Sequence, residues 1–335
     1  MNILVTGGLG YIGSHTIFEL SELSSTIHII DNLSNSSKST LSTLQSLLPT
    51  ANLIFHQGDI QNLSFLSKIF NLYPIDVVFH FAALKSIEQS NKFPHKYYKV
   101  NVKGTQNLIS CMKIAGIKTI IFSSSACVYD RKTEGFYSES CTLGVGSVYG
   151  YTKICGERMI EEFCFGDFRR SGVVLRYFNP VGAHSSGLLG EVPNGEPGNL
   201  VPYIQKVACG VLRTLKIFGS DYNTLDGTAI RDYVHVVDIA KGHVLALKML
   251  KKGIQFYNLG TGKGTSVMEM VRMYEKVSGK YIDFEVVSKR DGDAECVVAD
   301  VKKAETHLNW KAEKTLEDMC KDSWNYVKKN EKIIF

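Results

Sequence analysis

Met1-Asn-Ile-Leu-Val-Thr-Gly-Gly-Leu-Gly-Tyr-Ile-Gly13 decides the fold. The apolar run over 3–6 reads as a buried strand, and an amphipathic stretch follows near 12–23. Between them Gly8, Gly10 and Gly13 form a G-x-G-x-x-G, and Gly7, Gly10 and Gly13 the wider G-x-x-G-x-x-G. Glycines between a strand and a helix let the backbone approach a pyrophosphate, and the helix N-terminus beyond offers free N–H groups. A Gly-rich turn alone is often only a turn; the strand and helix around it make this one a dinucleotide loop. Asp31 ends the second apolar run, eighteen residues past Gly13. A carboxylate there accepts from the adenosine ribose hydroxyls and repels the extra phosphate of NADP, so NAD is the expected cofactor. Asp59 follows the third run in Gln57-Gly-Asp-Ile60, within reach of an adenine, although a helix N-cap is its plainer use.

Outward from the loop the alternation continues. Apolar runs at 27–30, 52–57, 77–81, 119–123 and 173–177 are separated by amphipathic stretches near 38–48, 62–72, 96–115 and 149–168. Strict βα alternation predicts an α/β fold, a doubly wound parallel sheet with helices on both faces. From 179 to 199 the chain turns rich in Gly and Pro and reads as a long irregular loop. Shorter elements follow: helices near 201–210, 237–250 and 266–278, and strands near 214–218, 255–259 and 282–287. Two helical patches close the chain. The expected division is a nucleotide-binding domain over 1–178 and a smaller α/β substrate domain over 179–335, with the strand at 255–259 able to rejoin the first sheet.

Composition bounds the function. With 335 residues, 44% hydrophobic, 21% charged and a net charge of +5 spread along the chain, this is an ordinary globular protein without a nucleic-acid face. No apolar run approaches the ~20 residues of a membrane span. The opening residues lack the basic and apolar segments of a signal peptide. The eight cysteines include no C-x-x-C and no His at zinc-ligand spacing, so no metal is expected. They read as buried small hydrophobes of a reducing, cytoplasmic compartment.

Two segments carry chemistry together. Phe122-Ser-Ser-Ser-Ala126 ends the fifth run, where open α/β sheets bind ligands, although three serines are also an ordinary polar exit from a strand. Tyr149 and Lys153 are four apart on a predicted helix and so share a face, a spacing that also arises by chance. A neighbouring ammonium favours the phenolate and would make Tyr149 a base near neutrality. Ser125 then steadies or relays the proton, and a carbon-bound hydride leaves to the cofactor.

These features resemble the extended short-chain dehydrogenase/reductase family. Longer strings resemble its UDP-glucose 4-epimerases: His80-Phe-Ala-Ala-Leu-Lys85, Asn101-Val-Lys-Gly-Thr105, Phe122-Ser-Ser-Ser-Ala-Cys-Val-Tyr129 and Leu175-Arg-Tyr-Phe-Asn-Pro-Val-Gly-Ala-His184. So do Asn199-Leu-Val-Pro-Tyr203, Gly227-Thr-Ala-Ile-Arg-Asp-Tyr-Val-His-Val236, Tyr257-Asn-Leu-Gly260 and Leu308-Asn-Trp310. The resemblance implies that Tyr11, Ile12, Asp31, Asn32, Asp59, Ile60, Phe81, Ala82, Lys85, Tyr149, Lys153 and Tyr177 hold NAD. It implies that Asn179, Asn199 and Leu200 meet the diphosphate of a UDP-sugar, with Lys216, Ile217 and Phe218 near the uracil. Arg231, Tyr233, Arg290 and Asp293 would close over ribose and phosphates. The implied reaction interconverts UDP-galactose and UDP-glucose: oxidation at sugar carbon 4, rotation of the 4-keto sugar and return of the hydride to its other face. A homodimer through the helices near 96–115 and 149–168 is implied as well.

Ala126 and Cys127 stand where related dehydratases carry an Asp–Glu pair, so removal of water is not expected. Asp130 and Ala83 depart from glycines common in the pattern. Val297, with Cys296 beside it, aligns with the position whose size separates family members that admit N-acetylated sugars from those that do not.

Overall fold

The computed structural model of the chain describes residues 1–130, 135–192, 198–290 and 292–334. In chain order, β1 (Asn2–Thr6), α1 (Tyr11–Leu20), β2 (Thr26–Asp31), α2 (Lys38–Leu47), β3 (Leu53–Gln57), α3 (Leu63–Leu72) and β4 (Val77–His80) alternate as expected. Two short helices, α4 (Ile87–Lys92) and α5 (Pro94–Tyr97), lead into a π-helical turn, Tyr98–Lys103, and α6 (Gly104–Ile114). Then come β5 (Thr119–Ser125), β6 (Phe136–Tyr137), α7 (Val148–Phe165) and β7 (Ser171–Tyr177). The second half holds β8 (Asn179–Val181), α8 (Leu200–Ala208), β9 (Leu215–Phe218), β10 (Ile230–Arg231), β11 (Tyr233–His235) and α9 (Val236–Lys248). It ends with β12 (Gly253–Leu259), β13 (Thr265–Ser266), α10 (Val267–Ser278), β14 (Phe284–Val287), β15 (Cys296–Ala299), α11 (Lys302–Leu308) and α12 (Leu316–Ile334).

Seven strands form one sheet in the order β12-β7-β5-β4-β1-β2-β3, every pair parallel. The order reverses between β1 and β4, and ligands of doubly wound sheets bind outside the strand ends at such a switch point. Side chains alternate between faces along each strand. Thus Ile3, Val5, Ile27, Ile29, Phe79 and Ile121 pack on one face, and Leu4, Ile30, Val78, Ile120, Phe122 and Val174 on the other. Burial on both faces explains why these strands read as near-continuous apolar runs. A separate core of Val201, Ile204, Leu215, Ile217, Met270, Tyr274, Met319 and Trp324 fills the second half.

Three expectations change. The helix at 96–115 is interrupted, because the Asn101 side chain inside the π turn leaves the helix. It accepts from Leu84 N at 2.8 Å and donates to Leu84 O and the Thr152 hydroxyl, both at 3.0 Å. The stretch from 179 is not loop throughout: β8 pairs in parallel with β11, with Asn179 opposite Tyr233. Finally, all eight cysteines are free, as expected, but only Cys111, Cys164 and Cys320 are buried; the others are half-buried. Among the described residues no helix is long and apolar enough to cross a membrane.

Candidate active site

Gly7 adopts φ +68°, and a Cβ there would come within 2.6 Å of Ala82 N, so β1 can turn only as glycine against the end of β4. At Gly13 a side chain would run into Gly7 and Gly8, where α1 packs on the loop. At Gly10 the sole neighbour within 4 Å is Gly7 O, at 3.3 Å, so this face of the loop is open for a bulky anion to approach the backbone. Asp31 is buried, and its carboxylate accepts from Leu9 N (3.0 Å), Leu33 N (2.9 Å) and the Ser36 hydroxyl (2.7 Å). It therefore braces the glycine loop. Asn32 donates to Asp59 at 2.8 Å, joining the ends of β2 and β3, and Asp59 also accepts from Gln61 N rather than standing free. Ile60 is buried against Gly104. The loop and this cluster of polar groups at the strand ends fit a dinucleotide.

At the neighbouring end of β5, Ser147 caps α7 by accepting from Gly150 N at 3.0 Å, which puts Tyr149 in the first turn. Tyr149 is also anchored through its N–H to the Ser90 hydroxyl at 3.0 Å, and its own hydroxyl pairs with the Ser125 side chain. Lys153, one turn on, donates to Ser123 O at 2.7 Å and lies 5.9 Å from the Tyr149 ring centre. Tyr177 closes the group, paired with His243 Nε2. Tyr11 donates to Gly182 O at 2.6 Å, and Lys85 pairs with Glu191, so two expected cofactor residues reach the second half of the chain.

The expected substrate residues lie on separate elements, and Asn179 is paired in register with Tyr233. Asn179 lies on β8, while Asn199 and Leu200 form the start of α8, whose N-cap side chain is not engaged in capping. Arg231 bonds Asp293 at 2.6 Å, and the Arg290 guanidinium lies 3.8 Å over the Phe218 ring. Lys216 is exposed, whereas Ile217 and Tyr233 are buried, so Ile217 presents its backbone and not its side chain. Val297 pairs with Arg231 across β15 and β10 and belongs to the same apolar cluster as Ala126 and Phe178; Cys296 points to the other face.

The family model for NAD dependent epimerase/dehydratase proteins matches residues 3–260. The chain belongs to that family. A UDP-glucose 4-epimerase of Cyamopsis tetragonoloba is 46% identical over 98% of this chain and 95% of its own length. The human UDP-glucose 4-epimerase is 44% identical over 98% and 97%. The solved Bifidobacterium longum UDP-glucose 4-epimerase, in complex with NAD+ and UDP, superposes with a TM-score of 0.94 at 42% identity, covering 99% of each chain.

One expectation about this family member's chemistry is corrected. Burial raises the Tyr149 hydroxyl well above its ordinary value; the nearby Cys127 adds to this, and the Ser125 hydrogen bond only partly opposes it. Lys153 is not among the groups that oppose the rise; its ammonium donates to the Ser123 carbonyl and not to the phenol. The same burial lowers Lys153 to about 8. Four residues without an assigned role in the sequence prove to be structural partners of the site: Asn101, His243, Glu157 and Arg176. His243 and Glu157 lie outside the strings quoted above, and Arg176 lies within one without a role. Asn101, a polar residue in a helical apolar pattern, was the one visible signal.

Proposed function

We propose that this epimerase-family chain interconverts UDP-galactose and UDP-glucose. The observation that carries the reading is Tyr149, Ser125 and Lys153 gathered at the end of β5, in the same sheet whose β1 leads into the open glycine loop. Likeness to UDP-glucose 4-epimerases over nearly the whole chain supports it. NAD, when bound, supplies a hydride acceptor and donor and a positively charged ring. Tyr11, Asp31, Asn32, Asp59 and Lys85 would hold it along the glycine loop. As the phenolate, which a bound cation would favour against the effect of burial, Tyr149 takes the proton of the sugar 4-hydroxyl and later gives it back, with Ser125 holding the phenol oxygen in line. Lys153 keeps a positive charge under that exchange. Arg231, Asp293, Arg290 and Phe218 grip the uridine diphosphate, since a planar guanidinium matches phosphate oxygens and stacks on flat rings. The hexose itself is held loosely, which lets the 4-keto sugar turn its other face. Ala126 and Cys127 offer no acid–base pair for removing water.

The test is incubation of the purified protein with UDP-galactose and no added NAD. Formation of UDP-glucose is expected; a protein that binds NAD yet never epimerises sinks the reading. Val297, in the same apolar cluster as Ala126, is the residue that limits the hexose pocket in this reading, being smaller than an aromatic side chain. UDP-N-acetylglucosamine is accordingly a second substrate. Initial rates on both sugars check this, and no N-acetyl turnover at saturation refutes it.

The reading also assigns residues 1–178 with β12 to the NAD side and the rest to the UDP-sugar side, in a cytoplasmic enzyme. It pairs two copies through α6 and α7, on whose outer sides Ile114, Tyr151 and Phe165 are exposed.

A further inference from the structure

Glu157 is a buried carboxylate that the reaction so far leaves without a part. It lies on α7 one turn beyond Lys153 and is 2% exposed. Arg176 of β7 clamps it from one side, Nε to Oε1 at 2.9 Å and Nη2 to Oε2 at 2.7 Å, and the Ser124 hydroxyl of β5 donates to Oε1. The guanidinium is itself sandwiched, 5.0 Å from both the Tyr129 and the Phe256 ring centres. Its Nη1 reaches the Tyr129 hydroxyl at 3.1 Å, which donates to Asn258 on β12 at 2.6 Å, and Asn258 donates to Tyr137 O at 2.7 Å. Tyr137 lies on β6, the neighbour of β15, which carries Val297.

The register is what matters. Lys153 bonds the carbonyl of Ser123, and Glu157, four residues later, bonds the side chain of Ser124. Successive residues of β5 are thus tied to successive turns of α7, immediately before Ser125 on the strand and one turn below Tyr149 on the helix. We propose that Glu157, held by Arg176 and Ser124, is a positioning residue of the reaction. It sets the height of α7 over the end of β5 and so the approach of the Tyr149 hydroxyl to Ser125.

Stability alone does not account for the pair, since buried ion pairs are often replaced by apolar residues of similar volume without loss. The carboxylate also acts on Lys153 by charge, opposing the burial that lowers the ammonium. The other groups around Lys153 are Cys127 from the turn after β5, the Phe122 ring, Tyr149 on its own helix, and His80 of β4, which burial and Lys153 hold neutral. Glu157 is the only carboxylate in that set.

The inference rests on the epimerase reading, and the experiment separates the two. Glu157→Gln keeps the shape and removes the charge. With UDP-galactose as substrate the variant is expected to melt at a lower temperature, because Arg176 keeps a buried charge without its partner, yet to remain folded at assay temperature with its bound NAD and KM retained, while kcat per folded molecule falls about tenfold or more, as small misplacements of reacting groups do. Its basic pH limb moves to lower pH, and the Lys153 side chain, followed by NMR of labelled lysine, titrates at lower pH. A wild-type kcat and pH profile overturns the proposal, as does a kcat loss that merely follows loss of NAD or of folded protein. The double variant Glu157→Met/Arg176→Met removes the anchor while filling its volume; if it folds and turns over at the wild-type rate, the proposal also falls. Failure of the wild type on UDP-galactose would sink the epimerase reading instead. An unmoved Lys153 titration in Glu157→Gln would then still overturn the coupling.

Discussion

Burial acts on Tyr149 and Lys153 in opposite directions, raising the phenol and lowering the ammonium to about 8, because each charged form loses its water. For Lys153 this is a stability statement. A lysine whose folded value lies below its ordinary value of 10.5 destabilises the fold at every pH below 8, where both states hold the proton. Between 8 and 10.5 the unfolded chain binds more protons than the folded one, so the penalty fades as pH rises. Lys153→Met is therefore expected to be more stable to urea than the wild type at pH 7, with the difference shrinking by pH 9.5. Parallel unfolding curves at both pH values check it, and a constant difference contradicts it. The Tyr–Lys spacing was legible in the sequence, but the direction of the phenol's shift was not. That depends on how deeply the phenol is buried and on Cys127 lying near it, which only the folded chain decides.

At the scale of elements, α7 lies close on β5 because residue 156 has no side chain: a Cβ there would press into the Phe122 ring. Gly156→Ala is expected to cost about 1–3 kcal/mol, as overpacking does, and to lower kcat by lifting the turn that carries Lys153. Denaturant titration with parallel kinetics tests both, and an unchanged kcat would show that the height of α7 does not control the reaction. The long strands and helices of the first half were readable because each repeats its apolar residues at its own period over several residues. The two-residue strands β6, β10 and β13 were not, since such a span holds no period. The π turn at Tyr98–Lys103 was hidden for a related reason: its cause, Asn101 reaching Leu84 and Thr152, is a contact between distant segments.

At the scale of the whole molecule, Asp232, between β10 and β11, gathers the chain just past β12 and the end of β15. Its carboxylate accepts from Thr261 N and Oγ1, both at 2.7 Å, from Gly262 N at 3.0 Å and from Ala299 N at 3.1 Å. That fixes Arg231 and Tyr233 on either side of it. Asp232→Asn would turn an amide N–H toward one of these donors and is expected to cost about 1–3 kcal/mol. It should also weaken UDP binding, because the β10–β15 pairing beneath Arg231 loosens. Thermal unfolding and UDP titration measure the two effects; loss of stability with unchanged UDP affinity would confine Asp232 to folding. By itself the sequence determined the parallel sheet, the glycine loop with Asp31, and the Ser–Tyr–Lys strip, because local period, turn chemistry and helical spacing are properties of neighbouring residues. Tertiary structure alone decided which charges meet. The Glu157–Arg176 clamp, the Lys85–Glu191 pair and the Asp232 clasp are each made by residues far apart in the chain, and their partners and burial exist only once the sheet has brought them together.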